Sequence, residues 1–414
     1  MKKKKILLVN PVILRELDGK FGLDDQTCQE LIRWAENFDR VVFACITLPE
    51  HIVNASESSV AGTNWQAIAD LPCADKIEFI PLPWAYKLQN FLSTYKATRK
   101  LLQEKIGECE YLCFKIWGLI GGWGVIACLE AIKQGRSYAV WTDTVEYELN
   151  RRTLSSLTWK RRIKEFLTLP LLKRYHQYFI ARSELGLFQG QDCYSEFAQL
   201  NKHPHCVYDV HTQTSDQIDN STLNLKIDSL LSGGTLRICY AGRAAEMKGP
   251  LDWLRSLHYI HKQGIDFQAT WMGHGPLFSK MESLVEDLGI SHCVKLVGFV
   301  SDRHQVLQTM RENHIFLFCH KTPESPRCLV ESLVSGCPII GYNSAYPVGL
   351  VSQDGGGVFV PMNNWQKLAQ KVIELNANRI LLSELTRSAA LSGSHFDEKT
   401  VFQARSDLIK QYIK

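Results

Sequence analysis

The sequence predicts an α/β protein of two doubly wound, parallel-sheet domains facing each other across a cleft. Three observations carry this. At 414 residues the chain is too long for one ordinary core. Short apolar, β-favouring runs alternate with helix-length stretches throughout, which reads as parallel strands joined by crossover helices. Between His211 and Gly234 the composition turns to Thr, Ser, Asp, Asn and Gln, closes on Ser232-Gly-Gly, and the alternation then starts afresh.

Taken in order, strands are predicted at 6–10, 41–47, 77–81, 111–115, 138–142 and 178–182, with a short one at 206–210. Helical pattern fills 26–37, 88–103, 124–134 and 159–175. Residues 1–210 therefore form the first domain and 211–235 a linker. The second domain, 236–395, has strands at 236–241, 267–272, 294–297, 315–319, 338–341 and 358–360. Its helices fit 250–263, 276–287, 303–311, 327–335 and 365–376. The last stretch, 396–414, reads as helix packing back on the first domain. Ligands of open α/β sheets sit at the carboxyl ends of the strands, so the cleft is the place to look.

Bulk properties exclude several classes. A hydrophobic content of 45% with 22% charged residues fits a soluble globular chain. The net charge of +4 is too small to suggest a nucleic-acid partner. Thirteen cysteines are scattered without a CxxC pair, which suits reduced thiols in the cytoplasm rather than a disulfide framework or zinc site. The basic start has an apolar core of only four residues before Asn10 and Pro11, so it reads as a first strand, not a signal peptide. The longest uncharged run, 116–129, carries four glycines and is too short to span a bilayer.

The chemistry concentrates in the second domain. The stretch Thr322-Pro-Glu-Ser-Pro-Arg-Cys-Leu-Val-Glu follows an apolar strand and opens a helix, with Ser325 as N-cap, Pro326 in the first helical position and Gly336 past the end. A helix N-terminus suits a phosphate, whereas Glu324 and Glu331 suit hydroxyls; a diphosphate flanked by polyols, a nucleotide-sugar, satisfies both. After strand 236–241, Gly242 frees the backbone, and Arg243 and Lys248 stand at the rim as a fork and a point charge. Gly273 and Gly298 follow two further strand ends in the same way. Read without context, such cations and glycines are also what ordinary solvated loops contain.

Together Tyr240-Ala-Gly-Arg-Ala-Ala-Glu-Met-Lys-Gly, Trp271-Met-Gly-His-Gly-Pro, Leu296-Val-Gly-Phe-Val and the stretch from Pro323 to Ile340 resemble the C-terminal half of retaining glycosyltransferase family 4, among the group 1 glycosyl transferases. The resemblance covers residues 236–375 by motif and the first half by architecture. It implies a GT-B fold of two Rossmann-like domains, with a nucleotide-sugar donor in the second. It places Arg243 and Lys248 on the diphosphate, Glu331 on the ribose and Glu324, as catalytic residue, on the transferred sugar. Gly242, Gly273, Gly298, Ser325 and Arg327 complete the donor site. One departure stands out: six residues separate Glu324 from Glu331, where that family usually has seven.

In the first domain Gly19 and Gly22 mark a candidate phosphate loop, or an ordinary turn. Asp143, after strand 138–142, matches a position near the acceptor and is a candidate base, or simply a helix cap. Lys115, Trp117 and the Gly121–Gly122 pair are candidates for the acceptor side. The basic, apolar segment 159–176 suits either an anionic membrane surface or a solvated amphipathic helix.

The expectation is thus a cytoplasmic transferase, beside the inner face of a membrane, passing a sugar to a sugar or lipid-linked hydroxyl in polysaccharide or glycolipid assembly. No DxD-type motif appears, so neither a cofactor nor an essential metal is expected. The same fold could serve an inverting transferase, an epimerase, a phosphorylase or a non-catalytic partner subunit. A dinucleotide oxidoreductase fits less well, because no full GxGxxG follows a strand.

Overall fold

Each half of the chain is built on its own parallel sheet. A computed structural model describes residues 4–17, 20–48, 65–154, 157–322 and 325–413. The chain divides into one unit of Met1–Tyr208 with Lys399–Lys414, and a second of Asp209–Glu398.

The first unit contains strands β1 (Lys5–Leu17), β2 (Lys20–Asp24), β3 (Arg40–Thr47), β4 (Trp65–Ala67), β5 (Ile77–Pro83), β6 (Tyr111–Lys115), β7 (Ala139–Thr142), β8 (Leu185–Gln189) and β9 (Pro204–Val207). Its parallel sheet runs β5-β3-β1-β6-β7-β8-β9, with Ile6 opposite Val41 on one side and Tyr111 on the other. Strand order reverses at β1 and β6, which makes their carboxyl ends a switch point. Helices α1 (Asp25–Asn37), α2 (Leu88–Glu108), α3 (Trp123–Lys133), α4 (Glu146–Thr153), α5 (Trp159–Arg182) and α6 (Gly190–Phe197) join the strands. Asp24 caps α1 by accepting from the Thr27 amide at 2.9 Å.

Two expectations change here. Residues 178–182 are the last turn and more of α5, and the strand lies at β8 instead. Leu172, His176, Phe179 and Ile180 are buried at helical spacing, and that packing overrides the β preference of the Tyr-Phe-Ile run. Gly22 is not in a loop: it stands in β2, paired antiparallel with Arg15 of β1 and with Ala67 of β4. Leu23 beside it is fully buried, which anchors that strand. Gly19 lies outside the described residues.

The second unit opens with helix α7 (Asn220–Leu231), inside the stretch expected as a linker. Asp219 caps it by accepting from the Thr222 amide at 2.9 Å, and Leu223, Ile227 and Leu230 form its buried stripe. A polar composition concealed one apolar residue per turn. Six parallel strands follow: β10 (Leu236–Ala241), β11 (Phe267–Met272), β12 (Val294–Gly298), β13 (Ile315–Phe318), β14 (Ile339–Tyr342) and β15 (Gly357–Val360). Their order is β12-β11-β10-β13-β14-β15, so the switch point lies between β10 and β13. The helices are α8 (Pro250–Lys262), α9 (Phe278–Asp287), α10 (Arg303–Glu312), α11 (Arg327–Val334), α12 (Ala345–Leu350), α13 (Trp365–Ala377) and α14 (Arg379–Gly393).

Helix α11 ends as its sequence demands. Gly336 takes φ 58°, its amide donates to Leu333 at 2.9 Å, and the Cys337 amide donates to Ser332 at 2.9 Å. That pair of bonds satisfies carbonyls the helix would otherwise strand. At the start, the cap position is Pro326 rather than Ser325, and no side chain caps it. The chain then crosses back: α15 (Glu398–Tyr412) buries Phe402 and Ile409 against the first unit's Trp34 and Phe38.

Candidate functional site

In the second unit the loops after β10, β11 and β12 are stitched together at their glycines. The Gly242 amide donates to the Met272 carbonyl at 2.8 Å and the Gly273 amide to the Gly298 carbonyl at 2.7 Å. A Cβ at Gly273, whose φ is 142°, would sit 2.0 Å from the Gly242 oxygen. Only glycine allows that approach. The Ala244 amide continues the seam by donating to His274 at 3.1 Å. Gly242, Gly273 and Gly298 are therefore brought side by side at the carboxyl edge of the sheet.

Arg243 is exposed on this seam and has no ionic partner among the described residues. Lys248 closes a short turn, Glu246–Lys248, before Gly249 at φ 62° starts α8. A Cβ at Gly249 would lie 2.3 Å from the Cys319 carbonyl, so this turn is pressed onto the end of β13. Beneath it the Tyr240 hydroxyl and His320 Nε2 are 2.8 Å apart. Burial drives the His320 pKa well down, and the Lys248 charge adds to this. His320 is thus a neutral, hydrogen-bonded floor. Buried Asp252 accepts from the Tyr342 hydroxyl at 2.9 Å and pairs with Lys321 at 2.8 Å, which neutralises that lysine within the protein.

Glu331 stands on α11 with 21% of its side chain exposed. Arg303 Nε lies 3.5 Å from it, and Arg303 Nη1 holds Asp216 at 2.9 Å. Burial raises the Glu331 pKa, Arg303 and Arg327 oppose the rise, and Asp216 adds to it. A carboxylate held this way is an acceptor for hydroxyl groups. Arg327 is occupied by Asp209 at 2.6 Å. Ser325 lies two residues before α11, and Glu324 lies outside the described residues. The clamp of Arg303 and Asp216 escaped the sequence reading because its members come from distant segments.

In the first unit, Lys115 ends β6 and donates to Asp143 at 2.6 Å, its ammonium 4.9 Å from the centre of the Trp141 ring. Asp143 is thus held by a cation and does not cap α4, whose cap position is Val145. A Cβ at Gly124 would meet the Lys115 carbonyl at 2.0 Å, so α3 starts hard against the end of β6. Two narrow recesses share Asn10 and Lys115: one is also lined by Thr27, Glu30 and Trp141, the other by Trp117 and Gly122. Asn10 is 7% exposed and its Oδ1 has no partner among the described residues, leaving an unpaired acceptor in the lining of both recesses.

Next to this pocket is a pair that the sequence did not reveal. Glu146 accepts from the Gly118 amide at 2.7 Å and lies 3.5 Å from His176. Burial, reinforced by Asp143 and Glu165, lifts Glu146 to about 7, while burial lowers His176 to about 4. The one signal was a glutamate three residues beyond Asp143, too common a spacing to single out.

Helix α5 carries an unusual surface. Trp159, Phe166 and Leu167 are 67%, 63% and 70% exposed, and Ile163 and Leu171 are exposed with them. They recur at three- and four-residue steps on the side opposite buried Leu172, His176 and Ile180, and exposed Lys160, Arg161 and Lys164 flank them. No described helix is long and apolar enough to cross a membrane.

Residues 224–391 match the family model described as Glycosyl transferases group 1. The amylovoran biosynthesis glycosyltransferase AmsK of Erwinia amylovora is 27% identical over 165 residues, 38% of this chain and 40% of that protein. The chain is therefore matched to less than half the length of this relative. Among solved structures, Alr3699/HepE of Anabaena in complex with UDP superposes with a TM-score of 0.64 at 14% identity, covering 98% of this chain and 100% of that one. WaaG, a glycosyltransferase involved in lipopolysaccharide biosynthesis, gives 0.61 at 12% identity, covering 98% and 99%. The fold is that of these structures, GT-B, with two Rossmann-like units.

Proposed function

We propose that the protein is a retaining glycosyltransferase that moves a sugar from a nucleotide-diphosphate donor to a hydroxyl of a saccharide or lipid-linked acceptor, in polysaccharide or glycolipid assembly. The observation that carries this reading is the glycine seam of Gly242, Gly273 and Gly298, with Arg243 and Lys248 in the loop after β10 and Glu331 on the helix that follows β13, the two strands of the switch point. Helix N-termini and two cations stabilise the charge that builds on the leaving diphosphate, the largest contribution in sites of this type. Glu331 accepts from the ribose hydroxyls, and Glu324 is assigned to the donor sugar. Lys115, Asp143 and Asn10 receive the acceptor. The match to group 1 glycosyl transferases supports the reaction class. The Anabaena structures, which hold UDP and UDP-glucose, support the donor class.

The exposed stripe of α5 suits a bilayer surface on the cytoplasmic side, which would bring a lipid-linked acceptor close. No divalent ion is assigned to the transfer, since no DxD motif is present; turnover that collapses in chelator and returns with Mg²⁺ or Mn²⁺ would overturn that assignment.

The experiment is titration calorimetry with UDP, GDP and ADP, followed by transfer assays on Arg243→Ala and Lys248→Ala. Tight binding of one nucleotide, with turnover abolished in both variants and the fold intact, is the expected result. Near-normal turnover in either variant removes the diphosphate assignment. A second reading, a non-catalytic partner subunit, draws on the short interval between Glu324 and Glu331, and it predicts that none of the three nucleotides binds. The anomeric configuration of the product separates retention from inversion.

A further inference from the structure

At the amino-end edge of the second unit's sheet, away from the glycine seam, three side chains converge. His261 lies in the last turn of α8, and His292 and Cys293 lie in the turn that feeds β12. One ligand atom from each lies within 4.8 Å of the other two. The imidazole rings are 5.0 Å apart at 66°. Cys293 is buried, its Sγ donates to the Ile290 carbonyl at 3.4 Å, and its own carbonyl accepts from Ala269 at 2.8 Å. Its position is therefore fixed by the sheet, while the His292 side chain is exposed. A solvent-open recess, also lined by Asp266 and Gln268, lies over the group.

We propose that His261, His292 and Cys293 form a site for a divalent cation of the zinc class, with water in the fourth position. Two imidazoles and a thiolate suit a borderline-soft ion better than calcium or magnesium, which take oxygen ligands. The carboxyl end of α8 points its partial negative charge at the same place. On binding, the Cys293 S–H bond breaks, a sulfur–metal bond forms and the proton leaves to solvent; both imidazoles donate a lone pair and nothing is oxidised. Metal–ligand distances of about 2.0–2.3 Å require the ligand atoms to draw together, which rotation of the His292 side chain supplies. The ion staples the end of α8 to the start of β12. His261 is far in sequence from the adjacent His292 and Cys293, and the group forms no CxxC, so spacing alone concealed it.

The test uses the full chain after chelator treatment, titrated with Zn²⁺ by calorimetry and with Co²⁺ by absorption. One ion per chain is expected, with proton release seen as a buffer-dependent enthalpy and a thiolate-to-cobalt charge-transfer band that Cys293→Ser abolishes. His261→Ala and His292→Ala should each lose at least about tenfold in affinity, since even outer partners of a metal site cost that much. Zn²⁺ should raise the thermal midpoint of the parent chain but not of Cys293→Ser. Should Cys293→Ser fail to fold, exposed His292→Ala still carries the comparison. Saturable uptake that survives all the variants, uptake without the cobalt–thiolate band, or no uptake at all overturns the proposal.

Discussion

Glu146 is a carboxyl that the fold keeps protonated up to about pH 7. Its folded pKa stands above the ordinary 4.5, so the folded state holds a proton that the unfolded chain releases. Stability from this group is complete below pH 4.5 and is lost as pH rises towards about 7. His176, held near 4 against an ordinary 6.5, works the other way: its contribution is lost as pH falls from 6.5 to about 4. Replacing Glu146 by Gln keeps an acceptor for the Gly118 amide and removes the charge. The variant should gain roughly 1–3 kcal/mol at pH 8 and almost nothing at pH 5, by denaturant unfolding at both. An equal loss at the two pH values would show that Glu146 acts through its charge in the fold. The Arg303 clamp is open to a different measurement. Arg303→Leu frees Glu331 and leaves Asp216 only its bond from the Gln213 amide, so donor KM should rise about tenfold with kcat little changed, the signature of lost uniform binding. A fall in kcat alone would place Arg303 in the chemistry instead.

At the scale of elements, α5 makes the sharpest prediction. Large apolar side chains that a soluble surface would normally bury stand in solvent there, with cations around them. Each Lys or Arg near an anionic bilayer contributes about 1 kcal/mol, and the apolar stripe adds insertion. The chain should sediment with phosphatidylserine vesicles more than with phosphatidylcholine ones, and less at high salt. The triple variant Trp159→Ser, Phe166→Ser, Leu167→Ser should lose that partition yet unfold within about 0.5 kcal/mol of the parent per site, since these positions are solvated. Undiminished sedimentation would remove the membrane reading. The basic and apolar mixture was legible in the sequence; which side faces out was not, because both faces of α5 are apolar and only the packing of Leu172, His176 and Ile180 decides. The strands of the second unit were legible to within a residue or two for the opposite reason, since a fully buried parallel strand is a continuous apolar run. Residues 178–182 misled because a buried helix turn rich in Tyr, Phe and Ile looks like such a run. The glycine seam was readable since each Gly follows a strand end. The Glu146–His176 and Arg303–Asp216 pairs depend on side chains meeting across the fold, which spacing does not encode.

For the whole molecule, the chain's path matters more than its midpoint. The second unit is one continuous stretch, Asp209–Glu398, whereas the first is completed by the last residues of the chain. Phe402 meets the Trp34 ring edge-on at 5.5 Å, and Phe402, Ile409 and Ile413 are at most 1% exposed. Arg405, also buried, places its guanidinium 5.0 Å from the Phe402 ring and 5.4 Å from that of Trp141. Three such apolar side chains are worth roughly 5 kcal/mol or more when buried, comparable to the whole stability of a domain. Ending the chain at residue 397 should therefore unfold the first unit and spare the second, although the cut lies next to the second in sequence. Scanning calorimetry of the shortened chain should lose one transition and keep the other. The fragment 209–398 should fold alone and, if the donor assignment holds, still bind the nucleotide that the intact chain prefers. If the shortened chain instead keeps both transitions, α15 is an appendage, and the core of the first unit closes without it.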